Sequence, residues 1–148
     1  MKELKNSIIH LLRNSVDHGI EDPFERLTQG KEETATISLK IEKNSSDLLD
    51  LIVSDDGQGI DYKKLEAKAR EKGFLKENGQ ADHKTLLNIL FRSGFSSKSD
   101  ITKISGRGVG LDVVKGDVKK LGGSIGITSH LGKGTRFTIH LPLKGEKS

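Results

Sequence analysis

The sequence predicts a two-layer α/β sandwich: a mixed, mostly antiparallel sheet covered on one face by helices. Three observations lead there. Apolar residues alternate through two pairs of short runs, 37–41 with 49–53 and 125–127 with 137–141, each pair joined by a polar or glycine-rich turn. Strands that alternate bury one face only, as antiparallel sheets covered on one side do; a doubly wound parallel sheet would need continuous apolar runs. Helix-period stretches lie before the first pair and between the two, so they have one sheet face to cover.

Each element follows from its own residues. Leu4 to His18 reads as a helix, because Ile8, Ile9, Leu12 and Val16 recur on one side and Gly19 is a natural C-cap. At about 100° per residue, His10, Asn14 and Asp17 fall within roughly 60° of one another on the other side. A loop containing Pro23 follows. Ile37, Leu39 and Ile41, then Leu49, Leu51 and Val53, alternate as a hairpin across the turn at 44–47. Tyr62 to Lys72 reads as a helix ended by Gly73, and Thr85 to Phe91 as another. Ser93 to Ser105, polar and rich in small residues, predicts a mobile loop. Leu111, Val114, Val118 and Leu121 form one helical stripe, closed by Gly122 and Gly123. Ile125 and Ile127, then Phe137, Ile139 and Leu141, make a second hairpin across 132–134. Repeats and interior linkers are absent, so the 148 residues read as one domain with a real core.

Composition excludes several classes. With no cysteine, disulfides and thiolate metal sites are ruled out, which suits a reducing cytosol. No apolar run approaches the ~18 residues of a membrane span, and no signal peptide is expected. A cytoplasmic location without direct membrane insertion is expected. The formal charge is +4, but basic and acidic residues interleave, which predicts a solvated surface and no nucleic-acid groove. Glycine is above the usual ~7% and sits in clusters.

One cluster is SGRGVGLDVVK, where Gly106, Gly108 and Gly110 alternate at the entry to a helix that starts near Val109. The dinucleotide fingerprint G-x-G-x-x-G fails on spacing, and the P-loop pattern is absent. What remains is physics: glycines let a backbone approach closely, and a helix N-terminus offers free N–H groups and partial positive charge. The other cluster is DDGQGI, Asp55 to Ile60. Asp55 shares the parity of Leu51 and Val53, so it points to the buried side as the strand ends. It is either a hairpin-end or helix-cap aspartate, or an acceptor for an amine deep in a pocket, because a buried carboxylate needs a donor. The exocyclic amine of adenine is such a donor, whereas guanine presents a carbonyl there. Gly57 and Gly59 would let a flat base lie against backbone. His10, Asn14 and Asp17 are either a solvated stripe or the wall of a site. An Asn amide oxygen suits Mg²⁺ held partly by phosphates, and Arg13 and His18 could add charge or hydrogen bonds. Zinc is disfavoured, because these histidines are not spaced i, i+4.

Taken together, HLLRNSVDHGIE (10–21), DDGQGI (55–60), FRSGFSSK (91–98) and SGRGVGLDVVK (105–115) resemble the N box, first glycine box, lid segment and second glycine box of the GHKL (Bergerat) ATP-binding fold. More narrowly they resemble the catalytic domain of CheA-like chemotaxis histidine kinases, in order and spacing over nearly the whole chain. The resemblance implies ATP and Mg²⁺ as ligands. It implies that Asn14 and His10 face the metal, His10 and Arg13 the phosphates, and Asp55 the adenine, with Gly57, Gly59 and Ile60 shaping the base pocket. It implies a lid carrying Phe91, Phe95, Ser97 and Lys98, with Lys98 reaching the γ-phosphate as a catalytic residue. Gly106, Arg107, Gly108, Val109, Gly110 and Leu111 would close over the phosphates, and Asp17 and His18 would support the site by hydrogen bonding. Relatives that hydrolyse ATP, such as gyrase, MutL and heat-shock chaperones, carry Glu where this chain has His10, so transfer to a histidine acceptor is the implied reaction.

None of His10, His18, His83, His130 or His140 sits in an acceptor-like helical motif. The expected partners are therefore a separate phosphoacceptor-histidine domain, a response regulator downstream, and dimerisation and receptor-coupling domains of a parent protein. The chain reads as a domain excised from that parent, without the family's N-terminal edge strand. The alternative is a GHKL domain that binds or slowly hydrolyses ATP in a regulatory role.

Overall fold

The computed structural model describes residues 2–44, 47–76, 79, 81–95 and 110–143, with the backbone alone at 2, 3 and 18. In chain order these form α1 (Lys2–Asn14), a π-helical turn (Ser15–Gly19), α2 (Pro23–Thr28), β1 (Ile37–Lys43), β2 (Leu48–Asp55), α3 (Tyr62–Glu71), α4 (His83–Ile89), α5 (Leu111–Lys120), β3 (Ser124–His130) and β4 (Gly134–Pro142). The sheet runs β1-β2-β4-β3, and each neighbouring pair is antiparallel. The expected two-layer sandwich is what forms. Among the described strands the sheet is wholly antiparallel.

The main core lies between α1, α5 and the covered face of β2 and β4. Leu11, Leu51, Val53, Val118, Phe137 and Ile139 are its centre. A second, smaller core joins α3 and α4 through Leu65, Ala69, Leu86, Ile89 and Phe95. Aspartates start three of the helices: Asp22 accepts the Glu25 N–H at 2.8 Å, Asp61 the Lys63 N–H at 3.1 Å, and Asp82 the Thr85 N–H at 2.8 Å. Each satisfies a donor that the first turn leaves open.

Several expectations need correction. The helix predicted over 4–18 is α-helical only to Asn14. Beyond it the Ile20 N–H reaches back to the Ser15 carbonyl at 3.0 Å, an i→i+5 bond that adds a residue to the turn. The buried side of α1 is also not the expected one. Leu4, Ser7, Leu11 and Ser15 are buried along with His10, whereas Ile9 is 39% and Val16 59% exposed. Ile8 and Leu12 pack at the margin of the core. Helical spacing offers two overlapping apolar stripes here, and contact with α5 and β2 selects the one through Leu4 and Leu11. The loop around Pro23 is a short helix, since proline at its first turn gives up only an N–H the helix cannot use. The helix predicted from Thr85 begins at His83, after its Asp82 cap. Most of the predicted loop 93–105 lies outside the described residues.

Candidate functional site

A cavity of about 230 Å³ opens between the end of α1, the end of β2 and the start of α5. Its wall contains His10, Asn14, Asp55, Gly59, Ile60, Gly110 and Leu111, all singled out in the sequence and drawn from three separate stretches. The π-helical turn sets the geometry at one end, because it carries Gly19 up to the Asp55 side chain. A Cβ on Gly19 would stand 3.2 Å from Asp55 Oδ2. The Gly19 carbonyl accepts the Gln58 N–H at 2.6 Å, so the segment after β2 is tied directly to the end of α1.

Two glycines explain why this wall is backbone. A Cβ on Gly57 would lie 1.8 Å from the Gly19 oxygen, inside any permitted contact. Gly59 has φ +73, and a Cβ there would lie 2.2 Å from the His130 oxygen. The Asp55 carboxylate is held by the Gly57 N–H, which donates to Oδ1 at 2.8 Å. From the sheet side, Ser129 Oγ accepts the Ile60 N–H at 2.8 Å, and the Gly132 N–H donates to the Gln58 carbonyl at 2.6 Å. The 55–60 stretch is thus tied both to the end of the π-helical turn and to the β3–β4 hairpin, while Asp55 faces the cavity.

His10 is 8% exposed. Burial first, and then the positive charge of Arg13, lower its pKa from the ordinary 6.5 and favour the neutral ring. A neutral imidazole keeps a lone pair on one nitrogen for a donor or a cation.

The structure separates other predicted residues from this cavity. Arg13 and Asp17 line a shallow depression on the outer side of α1 with Ile9, Leu12 and Val16. The extra residue of the π-helical turn takes Asp17 off the face it would share with His10 and Asn14 in a continuous α-helix. Phe91 is buried in the main core and borders a different groove, between α4 and β3. Phe95 is buried in the smaller core, edge-on to Phe74 with ring centroids 5.3 Å apart. Gly57 supports the wall from behind. The His18 side chain and Ser97, Lys98, Gly106, Arg107, Gly108 and Val109 lie outside the described residues. Lining residues not anticipated are Ser15, Gly19, Leu90, Ile127, Thr135 and Phe137. The signal for Thr135 was available: it keeps the parity of Phe137 and Ile139, and in register it pairs with Asp55.

Residues 2–145 match the family of histidine kinase-, DNA gyrase B- and HSP90-like ATPases. The chain belongs to that family. Within it, the chain is similar to chemotaxis protein CheA of Borreliella burgdorferi, 44% identical over 95% of this chain and 16% of that protein. It is 43% identical to CheA of Bacillus subtilis, over 95% of this chain and 21% of that one. A gliding motility regulatory protein of Myxococcus xanthus is 39% identical, with 95% and 18% covered. The chain therefore spans roughly a fifth of these family members' length, between 16% and 21%. The fold is shared with the blue-light activated histidine kinase of Erythrobacter litoralis EL346, at TM-score 0.52 and 19% identity, over 95% of this chain and 29% of that one. Among the described residues no helix is long and apolar enough to cross a membrane.

Proposed function

We propose that this domain binds Mg·ATP in the cavity and supplies the γ-phosphoryl group to a histidine on a separate phosphoacceptor domain, in cytoplasmic two-component signalling of the chemotaxis type. The observation that carries the reading is Asp55: a carboxylate at the end of an inner strand, pinned by one N–H and facing a cavity walled in part by glycine backbone. That is a receptor for a flat base with an amine on its edge. Thr135, opposite Asp55 in register, adds a hydroxyl at the same end.

The donor set at the other end fits a magnesium–phosphate group. Asn14 offers a hard neutral oxygen and His10 a neutral nitrogen. Among the described residues no cluster of three or more His, Asp or Glu could hold a metal without help, which suits an ion that keeps phosphate ligands. When bound, Mg²⁺ neutralises phosphate charge. Gly110 and Leu111, at the start of α5, put a helix N-terminus on the cavity wall where the phosphates would extend. Lys98 is assigned the γ-phosphate and Arg13 a charge acting at a distance. The protein's part is positioning and electrostatic stabilisation, which is most of what phosphoryl transfer requires. His10, where hydrolysing relatives carry Glu, favours transfer to an acceptor over attack by water.

The test is incubation with γ-labelled ATP, with and without an acceptor-histidine domain from a related kinase. Acid-labile label is expected only on the added domain, with reduced transfer for Lys98→Ala. Stable label on this chain alone would refute the assignment, and binding without transfer would favour the regulatory alternative.

A further inference from the structure

We infer that Arg26, which does not line the cavity, is a positioning residue that sets where Asp55 and Gly57 stand, an inference that rests on reading the cavity as the base pocket. Arg26 lies on α2 and is 1% exposed. Its Nη1 donates to Glu21 Oε1 at 3.0 Å and to the Asp56 carbonyl at 3.2 Å. Nη2 donates to Asp56 Oδ2 at 3.1 Å, and Nε to the Glu32 carbonyl at 2.6 Å. Lys31 completes the clamp, with Nζ on Glu21 Oε2 at 2.5 Å, the Asp56 carbonyl at 3.1 Å and the Gly57 carbonyl at 2.8 Å.

Three features separate this from a generic buried ion pair. The two cations face the two carboxylates of Glu21 and Asp56, so the cluster is balanced and has no charge left over for an outside anion. Its backbone acceptors include the carbonyls of Asp56 and Gly57, next to the residue that would read the base. Glu21 follows the π-helical turn by two residues, so the clamp joins the same two segments that meet at Gly19 and Gly57. If residues 56 and 57 shift, the Gly57 N–H leaves Asp55 Oδ1 and the carboxylate is free to rotate away from the cavity. Only a planar fork reaches all four acceptors at once, so lysine is no substitute at position 26.

The experiment compares wild type with Arg26→Lys, which keeps charge and stem and gives up the fork, and with Asp56→Asn, a milder change at a half-exposed partner that serves if the first variant does not fold. Two quantities are measured on folded protein: exchange of the Gly57 amide by NMR without ligand, and adenosine and ATP affinity by calorimetry. Gly57 exchange should speed up by at least about tenfold. Adenosine and ATP should weaken by the same factor, also about tenfold, because the displacement is at the base end. A lowered melting temperature with unchanged Gly57 exchange or unchanged adenosine affinity would overturn the inference and leave Arg26 a stability residue. If wild type binds neither adenosine nor ATP, the functional reading falls by itself, while Gly57 exchange still decides whether Arg26 positions the loop.

Discussion

Gly57 packs so closely on Gly19 that a single methyl group on Gly57 would lie 1.8 Å from the Gly19 carbonyl oxygen. Contact between these two residues joins the end of α1 to the segment after β2, and the cavity exists because the two approach without side chains between them. Gly57→Ala must push them apart. Overpacking of this kind costs about 1–3 kcal/mol. Thermal denaturation should show the loss, and adenosine binding should weaken more than tenfold at temperatures where the variant is still folded. Unchanged affinity would mean that the close approach is not part of the site.

Asp55→Asn keeps the shape of the side chain and an oxygen for the Gly57 N–H, but removes the charge. Hydrogen bonds to a charged group contribute about 1.5–3 kcal/mol. ATP affinity by calorimetry should therefore fall by at least about tenfold. Wild type should bind ATP well and GTP poorly. Equal binding of the two nucleotides would remove Asp55 from the role of base reader.

Asn14 and Asp55 lie on the wall of one cavity but serve opposite ends of the proposed ligand. Asn14→Ala should abolish the part of ATP affinity that depends on magnesium and leave adenosine binding within about twofold, since one neutral ligand acts only together with phosphates. The measurement is ATP titration with and without Mg²⁺. The same magnesium dependence in the variant and wild type would place the ion elsewhere.

The clamp around Arg26 predicts how stability responds to acid. Burial alone would raise the Glu21 carboxyl, but the Lys31 hydrogen bond, a backbone N–H and the charges of Lys31 and Arg26 outweigh it and lower the pKa from 4.5. Burial would likewise raise Asp56, but the Thr36 N–H and Arg26 lower it from 3.8. A carboxylate with a depressed folded pKa binds fewer protons folded than unfolded, so its stabilisation is complete above the unfolded value and is lost as pH falls through the folded one. Denaturant midpoints should hold steady well above pH 4.5 and fall progressively below it. Glu21→Gln should flatten that decline while lowering stability at neutral pH, because it leaves Arg26 and Lys31 without their shared buried partner. An acid profile identical in Glu21→Gln and wild type would exclude Glu21 as its source.

Local pattern was enough for the sheet, both hairpins, the glycine clusters and most of the cavity wall. Alternation determines which strand residues face the core, so Asp55, with the parity of Leu51 and Val53, had to stand on the covered face where β2 ends. The motif spacing of 10–21, 55–60 and 105–115 was enough to bring His10, Asn14, Asp55 and Gly110 under one family resemblance. Three-dimensional packing decided the rest. Which stripe of α1 is buried depended on α5 and β2, because helical spacing alone admits both the Leu4–Leu11 and the Ile9–Val16 faces. The π-helical turn that separates Asp17 from His10 arises where the chain must bring Gly19 onto the segment after β2, a long-range contact invisible to any local window. Arg26 is buried by partners up to 30 positions away. A charged residue on a short helix carries no local sign of burial, since only the fold supplies the carboxylates and carbonyls that make burial favourable.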